Sequence, residues 1–203
     1  MIKNIIFDFG DIFINLDKPA TLRKLHKLGV KQLTQQMLHF AQLYEMGLLT
    51  TREFIDKFNQ LYPSISHLDF KEAWNSILLD TPKSRLDFIE ELALSKKYRL
   101  FLLSNTNEMH ISWIQENWGE KQYNTFKNCF ERFYLSHEIH LRKPNFDIYE
   151  FVLKENEIKP DETLFIDDTK ENTEASKDLR IHVWNLNPAT EDIVDLRTLK
   201  EYF

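Results

Sequence analysis

Glycine is scarce in this chain, at 4 of 203 residues, and proline adds only 6. That composition excludes a disordered linker protein, a collagen-like repeat and a turn-rich all-β fold. The single cysteine, Cys129, excludes an intramolecular disulfide and fits a reducing compartment. No apolar run approaches the ~18 residues that a membrane span needs. The first apolar stretch is interrupted by Lys3 and Asp8, too short and too polar for a signal peptide, so a soluble cytoplasmic protein is expected. Basic residues do not form a block: 26 Lys and Arg stand against 32 Asp and Glu, for a net charge of −6. A nucleic-acid partner therefore gets no support, and neither does a membrane. The seven histidines hold no zinc pattern, because His137 and His140 are three apart with no third ligand at suitable spacing.

What the chain has is bulk and periodicity. Sixteen Phe and four Trp supply core material, and the length suits one domain with an insertion. Residues 2–7 read as a buried central strand, with β-branched and aromatic residues on both faces. From about Asn15 the pattern is helical for some seventy residues. Leu22, Leu25 and Leu28 lead to a stop at Gly29, a second run goes from Leu33 to Gly47, and Thr50-x-x-Glu53 forms a capping box before a helix halted by Pro63. A further helix is expected from Leu68 to Leu79. After Pro82, strands near 99–103, 130–135, 163–166 and 180–184 alternate with helices near 82–95, 107–117, 144–155 and 170–179. This order predicts an α/β protein with a doubly wound parallel sheet. The predicted division is a core of residues 1–15 and 85–203 and an inserted all-helical unit of residues 16–84.

Polar residues stand at the ends of the apolar strands. Asp8 follows Ile5-Ile6-Phe7, Ser104 follows Leu100-Phe101-Leu102-Leu103, and Asp167-Asp168 follow Leu164-Phe165-Ile166. Open α/β sheets bind ligands at that edge, outside the carboxyl ends of the strands. A carboxylate, a hydroxyl, Lys143 in LRKP and two adjacent acids are the parts needed to hold a phosphate and a Mg²⁺.

Asp8 in FDFG, Ser104 in LLSN, Lys143 in LRKP and Asp167-Asp168 with Asn172 resemble, in order, the four motifs of the haloacid dehalogenase-like (HAD) superfamily. The resemblance spans the chain and implies a Rossmann-like core, with the helical insertion as a C1 cap. The phrase YEMGLLTTREF is similar to the branch of small bacterial sugar-phosphate phosphatases, including glucose-1-phosphate phosphatases. It implies a Mg²⁺-dependent phosphatase of a small phosphorylated metabolite, with an aspartyl-phosphate formed on Asp8. Asp168 and the Gly10 carbonyl would join Asp8 on the metal, with Asp167 behind them or sharing the ion. Ser104 and the Asn105 amide would bind the phosphoryl group, Lys143 would neutralise it, and Asn172 would orient Lys143 or the carboxylates.

One position departs from that pattern. Most HAD phosphatases carry an acid two residues after the nucleophile, and here that residue is Gly10, followed by Asp11. In an extended segment neighbouring side chains alternate, so Asp11 is expected to face away from Asp8. A non-catalytic phosphate-binding protein, a phosphonatase and another phosphoryl-transfer enzyme remain as alternatives. Asn15, Asp17, Glu45 and Arg52 are polar candidates for reading the substrate.

Overall fold

The computed structural model describes residues 1–198. Its strands are β1 (Asn4–Phe7), β2 (Arg99–Ser104), β3 (Arg132–Leu135), β4 (Thr163–Asp167) and β5 (His182–Asn185). They form one all-parallel sheet in the order β3-β2-β1-β4-β5, which puts the first strand at the centre. The helices are α1 (Ala20–Lys27), α2 (Gln35–Glu45), α3 (Thr51–Leu61), α4 (His67–Asn75), α5 (Lys83–Ser95), α6 (Glu108–Lys127), a short α7 (Ser136–Ile139), α8 (Phe146–Glu155) and α9 (Lys170–Asp178). No helix among the described residues is long and apolar enough to cross a membrane.

Burial of both faces explains why the interiors of the central strands are apolar. Ile5, Phe7, Leu100, Leu102, Leu164 and Ile166 pack on one face with Phe88 and Ile89 of α5 and Ile111, Ile114 and Phe126 of α6. Ile6, Phe101, Leu103 and Phe165 point the other way, onto Ile148, Tyr149 and Val152 of α8. With both faces covered, the interior positions of these strands cannot be given to a solvated side chain. Polar residues therefore fall at the strand ends: Asn4, Arg99 and Thr163 at the amino ends, and Asp8, Ser104 and Asp167 at the carboxyl ends.

Helices α1 to α4 bury a separate set, including Leu25, Met37, Tyr44, Phe54, Phe58 and Phe70. Phe58 stacks on Phe70 with ring centroids 3.8 Å apart, and Tyr44 on Phe54 at 4.4 Å. Thr50 caps α3 as expected: its hydroxyl accepts from the Glu53 amide while Glu53 accepts from the Thr50 amide. Two antiparallel linkers join this unit to the sheet. Leu16 bridges Leu78, the Asp17 amide donates to the Ile77 carbonyl at 2.8 Å, and the Leu79 amide donates to the Asn15 carbonyl at 3.0 Å.

Three element boundaries differ from the sequence reading. Helix α4 ends at Asn75 instead of near Leu79, because residues 77–79 pair with the outgoing linker. Helix α6 continues past residue 117 to Lys127 through a break at Gly119 (φ 75°, ψ 154°), and its second part buries Tyr123 and Phe126 under the sheet. Pro144 lies ahead of Asn145, the N-cap of α8, and not in the helix's first turn.

Candidate active site

The site lies where the strand order reverses, between β1 and β4. The Asp8 amide continues the β1–β4 ladder by donating to the Ile166 carbonyl at 2.9 Å, which fixes the backbone beneath the carboxylate. Lys143 arrives from the loop after β3 and α7. Its ammonium donates to Asp8 Oδ1 at 2.8 Å, Asp167 Oδ2 at 2.6 Å and the Leu103 carbonyl at 2.8 Å. One buried lysine, 1% exposed, thus spends its three donors on the ends of β1, β4 and β2. Asn105 holds the same residue by its backbone: its carboxamide donates to the Lys143 carbonyl and accepts from the Lys143 amide, both at 2.9 Å.

Asp167 is fully buried and saturated. Besides Lys143 it accepts from the Thr169 amide at 2.7 Å and from Asn172 Nδ2 at 3.0 and 3.2 Å. Asn172 therefore acts on Asp167. Asp168 is paired instead with Lys18, whose ammonium also meets Asp11 Oδ2 at 3.0 Å. Ligand oxygens of Asp8, Asp167 and Asp168 lie within 4.8 Å of one another. The Gly10 carbonyl takes no part in the turn that closes above it, where the Ile14 amide bonds Phe9 and the Asp11 amide bonds Ile14.

Electrostatics mark this cluster as short of positive charge. Burial pushes the Asp8 carboxyl up to about 7; Lys143 opposes the shift, and Asp167 and Asp168 add to it. Burial also raises Asp168 against the pull of Lys18. Burial works against the Lys143 ammonium as well, yet Asp167 and Asp8 outweigh it and hold that pKa above the ordinary lysine value. Three crowded carboxylates at the end of an apolar sheet offer hard oxygen donors of the kind that suits Mg²⁺.

A cavity of about 440 Å³ opens beside the carboxyl ends of β1 and β2. Gly10, Leu16 and Lys18 line it from the first loop, Ser104 and Asn105 from the end of β2, and Gln42, Glu45 and Trp74 from the helices above. A larger groove of about 610 Å³ lies between α1 and α4, lined by Arg23, Lys24, Lys27 and Lys71, and none of the motif residues reaches it.

Residues 5–186 match the family model of the haloacid dehalogenase-like hydrolases. The chain belongs to that family. A curated relative, the D-ribitol-5-phosphate phosphatase of Bacteroides thetaiotaomicron, is 30% identical over 185 residues, covering 88% of this chain and 89% of the relative. A HAD family enzyme from the same organism, solved as a magnesium complex, is 34% identical with a TM-score of 0.85, covering 97% of this chain and 98% of that one. Its wild-type complex with magnesium and inorganic phosphate gives 33% identity and a TM-score of 0.80, covering 97% and 99%.

Two local arrangements in this HAD chain were outside the sequence reading. The first is around Gly10, whose φ is not left-handed. A Cβ there would meet Leu16 Cδ1 at 2.7 Å, so Leu16 takes the space that a side chain would need. Asp11 does not point away as strand alternation predicted. The segment turns, Asp11 takes φ 54°, and its carboxylate accepts from the Leu16 amide at 2.9 Å while facing Lys18. Of the four polar candidates for reading the substrate, Glu45 lines the cavity, paired with Arg142 at 2.9 Å. Asn15 bonds Asp80 and Arg85, Asp17 pairs with Arg23, and Arg52 lines a different surface hollow.

The second arrangement ties the helical unit to α6. Asn107 Oδ1 accepts from the His110 amide and the Trp74 indole, so its Nδ2 faces His110 Nδ1 at 3.1 Å. The proton then sits on His110 Nε2, which donates to the Trp74 carbonyl at 3.4 Å. Although the ring keeps some surface in the cavity, desolvation pushes its pKa down to about 4, the Trp74 carbonyl opposing the shift. The unfolded chain therefore takes up this proton near pH 6.5 and the folded chain only near 4. Stability is complete above 6.5 and falls as the pH drops through this window. Between pH 7 and 5 the loss should reach about 2 kcal/mol, less if the cavity admits water. Urea unfolding of wild type and His110→Gln at both pH values measures it, and the variant should lack this component.

Proposed function

We propose that this protein is a Mg²⁺-dependent phosphatase of a small sugar or polyol phosphate, acting through an aspartyl-phosphate on Asp8. The observation that carries this reading is Asp8 itself. It is a nearly buried carboxylate at the end of the central strand, aligned by Lys143 and crowded by Asp167 and Asp168. The 30% identical D-ribitol-5-phosphate phosphatase supports the substrate class.

Asp8, Asp168 and the Gly10 carbonyl would hold Mg²⁺, and Asp167, committed to Lys143 and Asn172, would keep the lysine in place. The ion supplies charge neutralisation for the phosphoryl group and its attacking carboxylate. An Asp8 oxygen attacks phosphorus, the bond to the leaving alcohol breaks, and water later cleaves the acyl phosphate. Lys143 steadies the nucleophile and the phosphoryl oxygens through fixed charge in a dry site. Ser104 is buried at the end of β2 and lines the cavity, which supports phosphoryl contacts from its hydroxyl and from the Asn105 amide. Residues 16–84 would form a cap over a core of residues 1–15 and 85–203, a division supported by their separate hydrophobic cluster and paired linkers. Such a cap orients the leaving group and keeps water out during attack.

Phosphate release from ribitol 5-phosphate, glucose 1-phosphate and p-nitrophenyl phosphate, with Mg²⁺ and with EDTA, tests the reading. At least one ester should be turned over with Mg²⁺ and none with EDTA. Failure of all three with Mg²⁺ present would favour a phosphate-binding protein that lacks turnover, the reading for which Gly10 argues.

A further inference from the structure

The loss of a side chain at Gly10 leaves a chemical gap, because the departing oxygen of an alkyl ester carries charge that something must meet. The structure shows how the groups around the cavity are engaged. His110 has both ring nitrogens engaged, by Asn107 and the Trp74 carbonyl. The Thr21 hydroxyl donates to the Trp74 carbonyl, and the Asn105 carboxamide is spent on the Lys143 backbone. Glu45 is paired with Arg142. Gln42 is neutral and belongs to α2, above the site. Lys18 differs from all of these: it lines the same cavity as Gly10 and is tied to Asp168 at the carboxyl edge of the sheet. Its side chain is 54% exposed, and Asp11 gives it a second anchor. Asp11 is itself fixed, 11% exposed and hydrogen-bonded to the Leu16 amide.

We infer that Lys18, positioned by Asp11, is a further catalytic residue that holds the leaving-group oxygen of the phosphoester, at the place where Gly10 offers no side chain. The inference rests on the phosphatase reading above. As the Asp8–phosphorus bond forms, the phosphorus–oxygen bond to the alcohol breaks and its electron pair passes to the departing oxygen. The Lys18 ammonium meets that charge with a charge-assisted hydrogen bond, and water provides the proton that completes the alcohol. Asp168 would be drawn to a bound metal ion, and Asp11 would then remain as the carboxylate that holds the ammonium. Asp11 is thus a positioning residue, and it takes φ 54° in the turn that sets its carboxylate against Lys18.

The leaving group separates this role from a general electrostatic one. An aryl oxide is stable and needs little help, whereas a polyol alkoxide needs much. In Lys18→Met, kcat for ribitol 5-phosphate should fall on the order of 10²-fold, the scale of losing one preorganised donor, while p-nitrophenyl phosphate changes by less than about threefold. Lys18→Arg should recover most of the loss, and Asp11→Asn should shift the same alkyl-to-aryl ratio by a smaller factor. Calorimetric titration with Mg²⁺ supplies the readout apart from turnover: Lys18→Met should bind the ion at least as tightly as wild type, since a competing cation is gone from Asp168. Equal losses on both esters, no loss on either, or weaker Mg²⁺ binding would each overturn the assignment. If wild type turns over none of the three esters, the phosphatase reading fails and this assignment fails with it; an active wild type with an unselective Lys18→Met sinks the Lys18 role alone.

Discussion

Asp8→Asn should lose turnover by on the order of 10⁶-fold, the scale of removing the nucleophile from a covalent hydrolase. The amide keeps the shape and can still accept from Lys143, so the fold has no reason to change. It should even gain. Burial pushes the Asp8 pKa from 3.8 to about 7, so at neutral pH the folded state resists an ionisation that the unfolded state undergoes freely. Between those pH values the folded protein binds more protons than the unfolded one, and stability declines as the pH rises. An asparagine does not ionise and escapes that decline. In metal-free protein at pH 7.5 the variant's urea midpoint should therefore equal or exceed that of wild type. Substantial Mg²⁺-dependent turnover by Asp8→Asn would show that the nucleophile is another group.

Lys143→Met carries the second large effect, and this one falls on stability as well as rate. The methionine matches the aliphatic stem but removes all three donors that hold Asp8, Asp167 and the Leu103 carbonyl together. Two carboxylates would then face each other in a site where Asp167 has no exposure at all. Removing one partner of a buried ion pair costs about 3–5 kcal/mol, because the surviving charge is left uncompensated. Turnover should drop by about 10²–10³-fold as well, from loss of fixed positive charge beside the reacting oxygens. The double variant Asp8→Asn/Lys143→Met should be more stable than Lys143→Met alone, since one stranded carboxylate is gone. Denaturant unfolding of the four members of this cycle measures the coupling. A Lys143→Met protein as stable as wild type would mean that the ammonium does not neutralise this cluster.

The two variants probe a constellation that was readable to different depths. Asp8, Ser104 and Asp167-Asp168 could be found because each follows the apolar interior of a strand, and a parallel sheet buried on both faces confines polar groups to strand ends. Lys143 is on no strand, and it was found by its place in an LRKP motif and not by any periodicity. What it does was hidden: its bond to Asp8 spans 135 residues, and only the strand order brings that loop beside β1. The same limit applies to Asn105. Its sequence context suggests a turn, yet its side chain clamps the Lys143 backbone 38 residues away.

Short-range rules failed where the backbone leaves a regular element. Asp11 was expected on the far side because alternation holds in strands, and residues 9–14 are a turn. Helix α4 stopped early because linker pairing with Leu16 outcompeted its helical periodicity at Leu78. Helix α6 ran on past its expected end because Tyr123 and Phe126 gain burial under the sheet.

By itself, then, the sequence determined the alternation of strands and helices, the mainly helical character of the segment after Asn15 and the identity of the strand-end groups, because these follow from local periodicity and from burial on both sheet faces. Only the tertiary structure decided that Lys143 neutralises two carboxylates, that Leu16 fills the space before Gly10, and that Lys18 stands between Asp11 and Asp168. Those are contacts between distant or turn-bound residues, and their energies depend on desolvation and distance, which no spacing along the chain encodes.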